Sequence, residues 1–87
     1  MLFLRSSRFE KEYTRLSKEL KIKANERLQV FVADQFDPIL NNHKLGHEFE
    51  GYRSINVTGD WRIVYKRVDE QTCLLHIVGT HHQLFRS

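Results

Sequence analysis

His43, His47, His81 and His82 are four of the five histidines in this 87-residue chain, and Asp60, Arg62 and Phe85 share the same part of the sequence. An imidazole titrates near neutrality and can give or take a proton, and a guanidinium fork matches phosphate oxygens. RNA cleavage by transfer of a 2′-hydroxyl onto its own phosphate asks for such groups. It needs a base, an acid for the leaving oxygen and fixed positive charge for the phosphorane. Phe85 adds a ring on which a base could stack. The same residues also have ordinary structural uses. Asp60 follows Gly59 as turn residues do, and an aromatic near a terminus commonly anchors it. His43 and His47 stand four apart, which on a helix would suit a metal. Gly46 and the lack of apolar periodicity place them in a loop instead, with no cysteine ligand nearby, so no metal site is expected.

The elements that must position these residues follow from apolar periodicity. Leu2-Phe3-Leu4 reads as a first strand. Ser7 with Glu10 has capping-box spacing at a helix start, and Phe9, Tyr13, Leu16 and Leu20 form one apolar stripe. Ala24, Leu28, Phe31, Val32 and Phe36 form a second, which Asp37-Pro38 stops. One rod through both stripes would be about 45 Å long, too long for a domain with a radius of gyration of about 12 Å. A helical hairpin that breaks near Lys21 to Asn25 is therefore expected. Asn41 to Glu50 reads as a surface loop.

Three strands complete the chain. With Thr58-Gly59-Asp60 as a three-residue loop, Val57 faces Trp61 and Ile55 faces Ile63 on the helix side, while Asn56 lies opposite Arg62 on the other. Thr72 to Gly79 is the last strand, with Cys73, Leu75 and Ile77 alternating against Leu74, His76 and Val78. Both sets are largely apolar, so this strand is internal and His76 has packing as its ordinary use. The expected architecture is α+β in the order β-α-α-β-β-β. A mainly antiparallel sheet packs on the N-terminal hairpin, and a short segment follows the last strand.

Length permits one domain, residues 1–87, with a modest core. No apolar run is long enough to span a membrane, and Met1 to Leu4 is too short for a signal peptide, which makes the cytoplasm the expected compartment. The lone Cys73 reads as a small core hydrophobe. Fourteen basic against eleven acidic residues give a net charge of +3, which permits a polyanionic partner without requiring one.

Three blocks carry a resemblance. His43-x-Leu45 stands eight residues before Gly51-Tyr52-Arg53, Asp60-Trp61 precedes Ile63-x-Tyr65-Lys66, and Gly79-Thr80-His81-x-x-Leu84-Phe85 closes the chain. Together with Phe9-Glu10-Lys11 and Arg15-Leu16 on the first helix, they make the sequence resemble the RelE/ParE superfamily of bacterial toxins. Within it, the YafQ group of ribosome-dependent mRNA endonucleases is the nearest likeness. The resemblance implies a catalytic set of His43, Asp60 and His81, with His81 first for proton transfer, and RNA contacts from Phe85, Asn56, Arg62 and Arg53. It also implies action on A-site mRNA at the ribosome, no cofactor, and a cognate antitoxin through which DNA is met only indirectly. Arg62 resembles the strand arginine of other RelE-like members, since the YafQ group tends to be apolar there. Asn56 departs from the group, which often has a histidine at that position. A ParE-like inhibitor of DNA gyrase, or an inactive antitoxin-binding homologue, are the alternative functions.

Overall fold

The computed structural model describes residues 1–85. Its strands are β1 (Leu2–Arg5), β2 (His43–Lys44), β3 (Arg53–Thr58), β4 (Trp61–Asp69) and β5 (Thr72–Thr80), and its helices are α1 (Ser7–Thr14), α2 (Lys18–Ala33) and α3 (His81–Leu84). The five strands form one sheet in the order β1-β5-β4-β3-β2, in which only the β1–β5 pair is parallel. The expected α+β hairpin-on-sheet architecture holds, and the radius of gyration is 12.0 Å. No helix among the described residues is long and apolar enough to cross a membrane.

The helical hairpin breaks earlier than the periodicity predicts, at Arg15 to Ser17. Ser17 has an extended backbone, and its Oγ accepts the Leu20 N–H at 3.2 Å, so a serine cap starts α2 where neither Gly nor Pro marks a break. Leu16 fits the helical stripe but is buried from the turn itself. At the start of α1 the cap is Ser6, not Ser7: its Oγ accepts the Phe9 N–H at 3.0 Å. The second stripe is also shorter than expected. Ala24, Leu28 and Phe31 are buried in the core, but Val32, still within α2, is 52% exposed, and Phe36, beyond the end of α2 at Ala33, is 60% exposed.

The core lies between the helices and one sheet face, built from Phe9, Leu28 and Phe31 against Ile55, Ile63, Tyr65 and Leu75. Cys73 is buried there, and burial pushes its thiol pKa up, which keeps it protonated and unreactive. Ile55 pairs with Ile63 and Asn56 with Arg62, as predicted, yet the hairpin loop has two residues rather than three. Thr58 pairs with Trp61, Gly59 takes a φ of 52° at the first turn position, and Val57 is the extra, bulged residue. A two-residue loop without that bulge would pair Val57 with Arg62 and mix the two faces.

A second bulge alters β5. Val64 pairs with Ile77 and Tyr65 with Leu75, leaving His76 as the extra residue. Cys73 and Leu75 face the helices as expected, but Ile77 is shifted to the opposite face, where it joins Val64 and Leu84. Beyond Leu75, β5 has no strand on its outer side, because β1 ends at Arg5. Side chains of the α1 segment cover that edge. Ser6 Oγ donates to the His76 carbonyl at 2.7 Å, and Glu12 Oε1 accepts the Val78 N–H at 3.2 Å.

Candidate active site

Directly paired residues of adjacent strands project to the same face, and the face alternates along each strand. The pairs His43–Ser54, Ser54–Val64 and Val64–Ile77 therefore lay one row across the face away from the helices. Asn56 and Arg62 make the next row, which ends at Gly79. This face has a small apolar floor of its own: Val64, Ile77 and Leu84, flanked by Leu45, Phe49, Tyr52 and Phe85. The surface loop 41–50 supplies part of that floor through Leu45 and Phe49 and contains the two-residue strand β2 and a 3-10 turn at His47–Phe49.

The end of β5 is turned back over this floor by a capping box. Thr80 Oγ1 accepts the Gln83 N–H at 3.2 Å, and Gln83 Oε1 accepts the Thr80 N–H at 2.9 Å. Gly79 permits the fold-back, since an added Cβ would lie 3.1 Å from Gln83 Oε1 and 3.3 Å from Leu84 Cδ2. The His81 N–H donates to the Asp60 carbonyl at 2.8 Å, so the hairpin tip and the start of α3 meet. The His81 ring lies 5.0 Å from that of Phe85, which in turn stands edge-on to Phe49 at 5.8 Å. His81 and Asp60 are exposed and Phe85 is half-buried.

His43 is exposed on β2, and its Nδ1 lies 2.8 Å from the Asn41 carbonyl. Arg62 Nη1 donates to the carbonyls of Gly59 and Trp61 at 2.7 and 3.1 Å, bracing the hairpin with one end of the fork. The other nitrogens of that guanidinium make no hydrogen bond among the described residues. Asn56 Oδ1 and Ser54 Oγ are buried on this face without hydrogen-bond partners among the described residues. Arg53 is not brought to the group. It pairs with Tyr65 on the helix side, where its Nε donates to Asn42 Oδ1 at 2.7 Å and its guanidinium lies 5.5 Å from the Phe36 ring centre. The structure thus joins Asp60, His81 and Phe85 at one end and pairs Asn56 with Arg62. His43 stands on the edge strand, and no side-chain hydrogen bond links it to Asp60 or His81 among the described residues.

Two further groups share this face without a signal that spacing could reveal. The bulge places the His76 ring 4.9 Å from Tyr52, and Lys66 Nζ lies 5.7 Å from the same tyrosine ring. Burial, helped by the positive charge of Arg8, holds the His76 pKa below the ordinary value of 6.5, so this ring is neutral at pH 7. The Thr80-x-x-Gln83 box, by contrast, was readable in the sequence. Among the described residues no group of three His, Cys, Asp or Glu side chains is arranged to hold a metal ion.

Imidazoles, a guanidinium and stacking rings thus gather at one open sheet face, with Asp60 at the adjoining hairpin tip, and groups of these types can move protons, bind phosphate and stack on bases. Comparison with known proteins bears on the frame. YafQ from E. coli strain BL21(DE3) superposes with a TM-score of 0.80 at 22% identity, covering 95% of this chain and 96% of that one. YafQ in an E. coli DinJ–YafQ complex gives 0.70 at 25% identity over 95% and 96%. A YoeB/ParE toxin from Agrobacterium tumefaciens gives 0.78 at 19% identity over 93% and 99%. A search among curated proteins finds no match. Residues 2–86 match the family described as the bacterial toxin of type II toxin–antitoxin system, YafQ. With nearly its whole length matched, the chain belongs to the YafQ family of toxins of type II toxin–antitoxin systems.

Proposed function

We propose that this toxin is an endoribonuclease that cuts mRNA in the ribosomal A site and is neutralised by a cognate antitoxin. The observation that carries the reading is the meeting of His81, Asp60 and Phe85 at the end of an open sheet face that also presents Arg62 and His43. In the cleavage step the 2′-oxygen bonds to the adjacent phosphorus as its proton passes to a base. The bond from phosphorus to the 5′-oxygen then breaks, and an acid protonates the leaving oxygen. The products are a 2′,3′-cyclic phosphate and a 5′-hydroxyl. His81 is the first choice for proton transfer, with His43 and Asp60 completing the set. Arg62 neutralises the phosphate charge, the Asn56 amide helps to hold the phosphate, and Phe85 stacks on a base.

The ribosome enters because a +3 domain with few phosphate-binding groups binds free RNA weakly and with steep salt dependence. Ribosomal RNA supplies the missing positioning, which puts the site of action in the cytoplasm. The DinJ–YafQ complex, whose toxin shares this fold, supports an antitoxin partner. Purified protein added to ribosomes programmed with a defined mRNA tests the reading. Primer extension should find a cut within the A-site codon and none in the same mRNA without ribosomes. Intact mRNA together with gyrase-dependent DNA breaks would identify a gyrase inhibitor instead.

A further inference from the structure

His43 sits on a strand of only two residues, so its orientation depends on the chain that leads into it. Asn41 adopts left-handed backbone, with φ 44°, a conformation that asparagine tolerates better than other residues with a side chain. That geometry sets the Asn41 carbonyl 2.8 Å from His43 Nδ1. A carbonyl oxygen only accepts, so Nδ1 carries the hydrogen, and in the neutral ring Nε2 is left with its lone pair.

The next residue fixes the same segment from the helix side. Asn42 Nδ2 donates to the Tyr65 hydroxyl at 2.8 Å and to the Gln35 carbonyl at 2.9 Å, while its Oδ1 accepts from Arg53 Nε at 2.7 Å. Each end of the amide is therefore engaged, and its orientation is determined. Tyr65 is only 2% exposed and lies edge-on to Phe31 with ring centres 5.0 Å apart. A bonded path thus runs from the main core through Tyr65 and Asn42 to the residue that carries the imidazole. The Arg53 guanidinium tightens it from the side.

We propose that Asn41, Asn42 and Arg53 are positioning residues that hold the His43 imidazole in its Nδ1–H tautomer, with Nε2 directed at the RNA. The functional part rests on the endoribonuclease reading, while the tautomer does not. Arg53 then supports the site from behind and is not an RNA contact.

The full chain, labelled with ¹⁵N-histidine and studied by two-bond ¹⁵N–¹H correlation NMR at pH 8, tests this, with His43 assigned through His43→Gln. A neutral imidazole in water favours the Nε2–H form, so the bound geometry has a distinct signature. Wild type should show protonated Nδ1 and unprotonated Nε2. Asn41→Gly, which keeps the left-handed backbone available, should retain that pattern. Asn41→Val, which cannot adopt it without strain, and Asn42→Ala should shift His43 toward Nε2–H, with the His81 signals unmoved as a control on the fold. A wild-type Nε2–H tautomer, or an Nδ1–H tautomer that persists in Asn41→Val and Asn42→Ala, overturns the proposal. On programmed ribosomes, Arg53→Gln should lower kcat about tenfold or more at unchanged KM, as loss of an orienting partner does. A raised KM at unchanged kcat would make Arg53 an RNA contact instead. Failure of the wild type to cut at all would refute the ribonuclease reading and leave the tautomer result to be judged alone.

Discussion

The main-chain N–H of His81 donates to the carbonyl of Asp60 across 2.8 Å, tying the first residue of α3 to the tip of the β3–β4 hairpin. Because the bond is made by backbone, either side chain can be replaced without breaking it. His81→Ala should therefore fold as wild type and lose cleavage by about 10²–10⁴, the range for a lost proton-transfer group. Matched melting curves alongside single-turnover rates check this. A His81→Ala protein that is fully active removes His81 from the chemistry.

Asn56 pairs with Arg62 and has its Oδ1 buried, so the amide nitrogen is the end available to a phosphate. It cannot titrate. Asn56→His should raise the cleavage rate several-fold and add a titrating step between about pH 5 and 8, the window of an imidazole. The pH–rate profile decides, and an unchanged profile would separate residue 56 from the reacting phosphate.

Glu12 should matter for stability more than an exposed helix carboxylate does. Its Oε1 accepts the Val78 N–H on the open edge of β5, and its Oε2 accepts from Arg8 Nε at 3.2 Å. Glu12→Ala strips a partner from the backbone N–H of buried Val78 and should cost about 1–2 kcal/mol. In a domain of this size that lowers Tm by roughly 4–16 °C. Glu12→Gln keeps an acceptor and should lose less, and equal losses would point to the Arg8 ion pair.

His76 sets a pH dependence of stability. Its folded pKa lies below the ordinary 6.5 through burial first and Arg8 second, with Glu12 opposing. Above the unfolded pKa both states are neutral at this ring and it contributes no dependence. As pH falls through 6.5 and below, the unfolded chain takes up the proton first, so stability drops. Melting curves from pH 8 to 5 should show the decline, and His76→Gln should flatten that part of it. The same slope in wild type and variant would locate the titrating group elsewhere.

Much of this was legible in the sequence, and what was not has specific causes. The β3–β4 pairing of Asn56 with Arg62 follows from matching apolar faces, and α2 follows from Ala24, Leu28 and Phe31. Periodicity misplaces the hairpin break because a serine cap leaves little trace in it, and Leu16 fits the stripe while buried from the turn. Bulges at Val57 and His76 shift which side chains share a face, and nothing in residue type announces them. The side on which Arg53 lies is not readable from its motif, because its pairing with Tyr65 and its bond to Asn42 on the helix side are consequences of tertiary packing. The grouping of Asp60, His81 and Phe85 depends on Gly79 and the Thr80–Gln83 box folding α3 back, and only the box could be read in advance.

The most direct measurement uses ribosomes programmed with two mRNAs that differ at the nucleotide on the 5′ side of the cut, one carrying a 2′-hydroxyl and the other 2′-deoxy. A 2′-hydroxyl mechanism that uses His81 requires cleavage of the first, with a 2′,3′-cyclic phosphate at the new end, and no cleavage of the second, by wild type and not by His81→Ala. Equal cutting of both mRNAs, or cutting by His81→Ala at the wild-type rate, would contradict it.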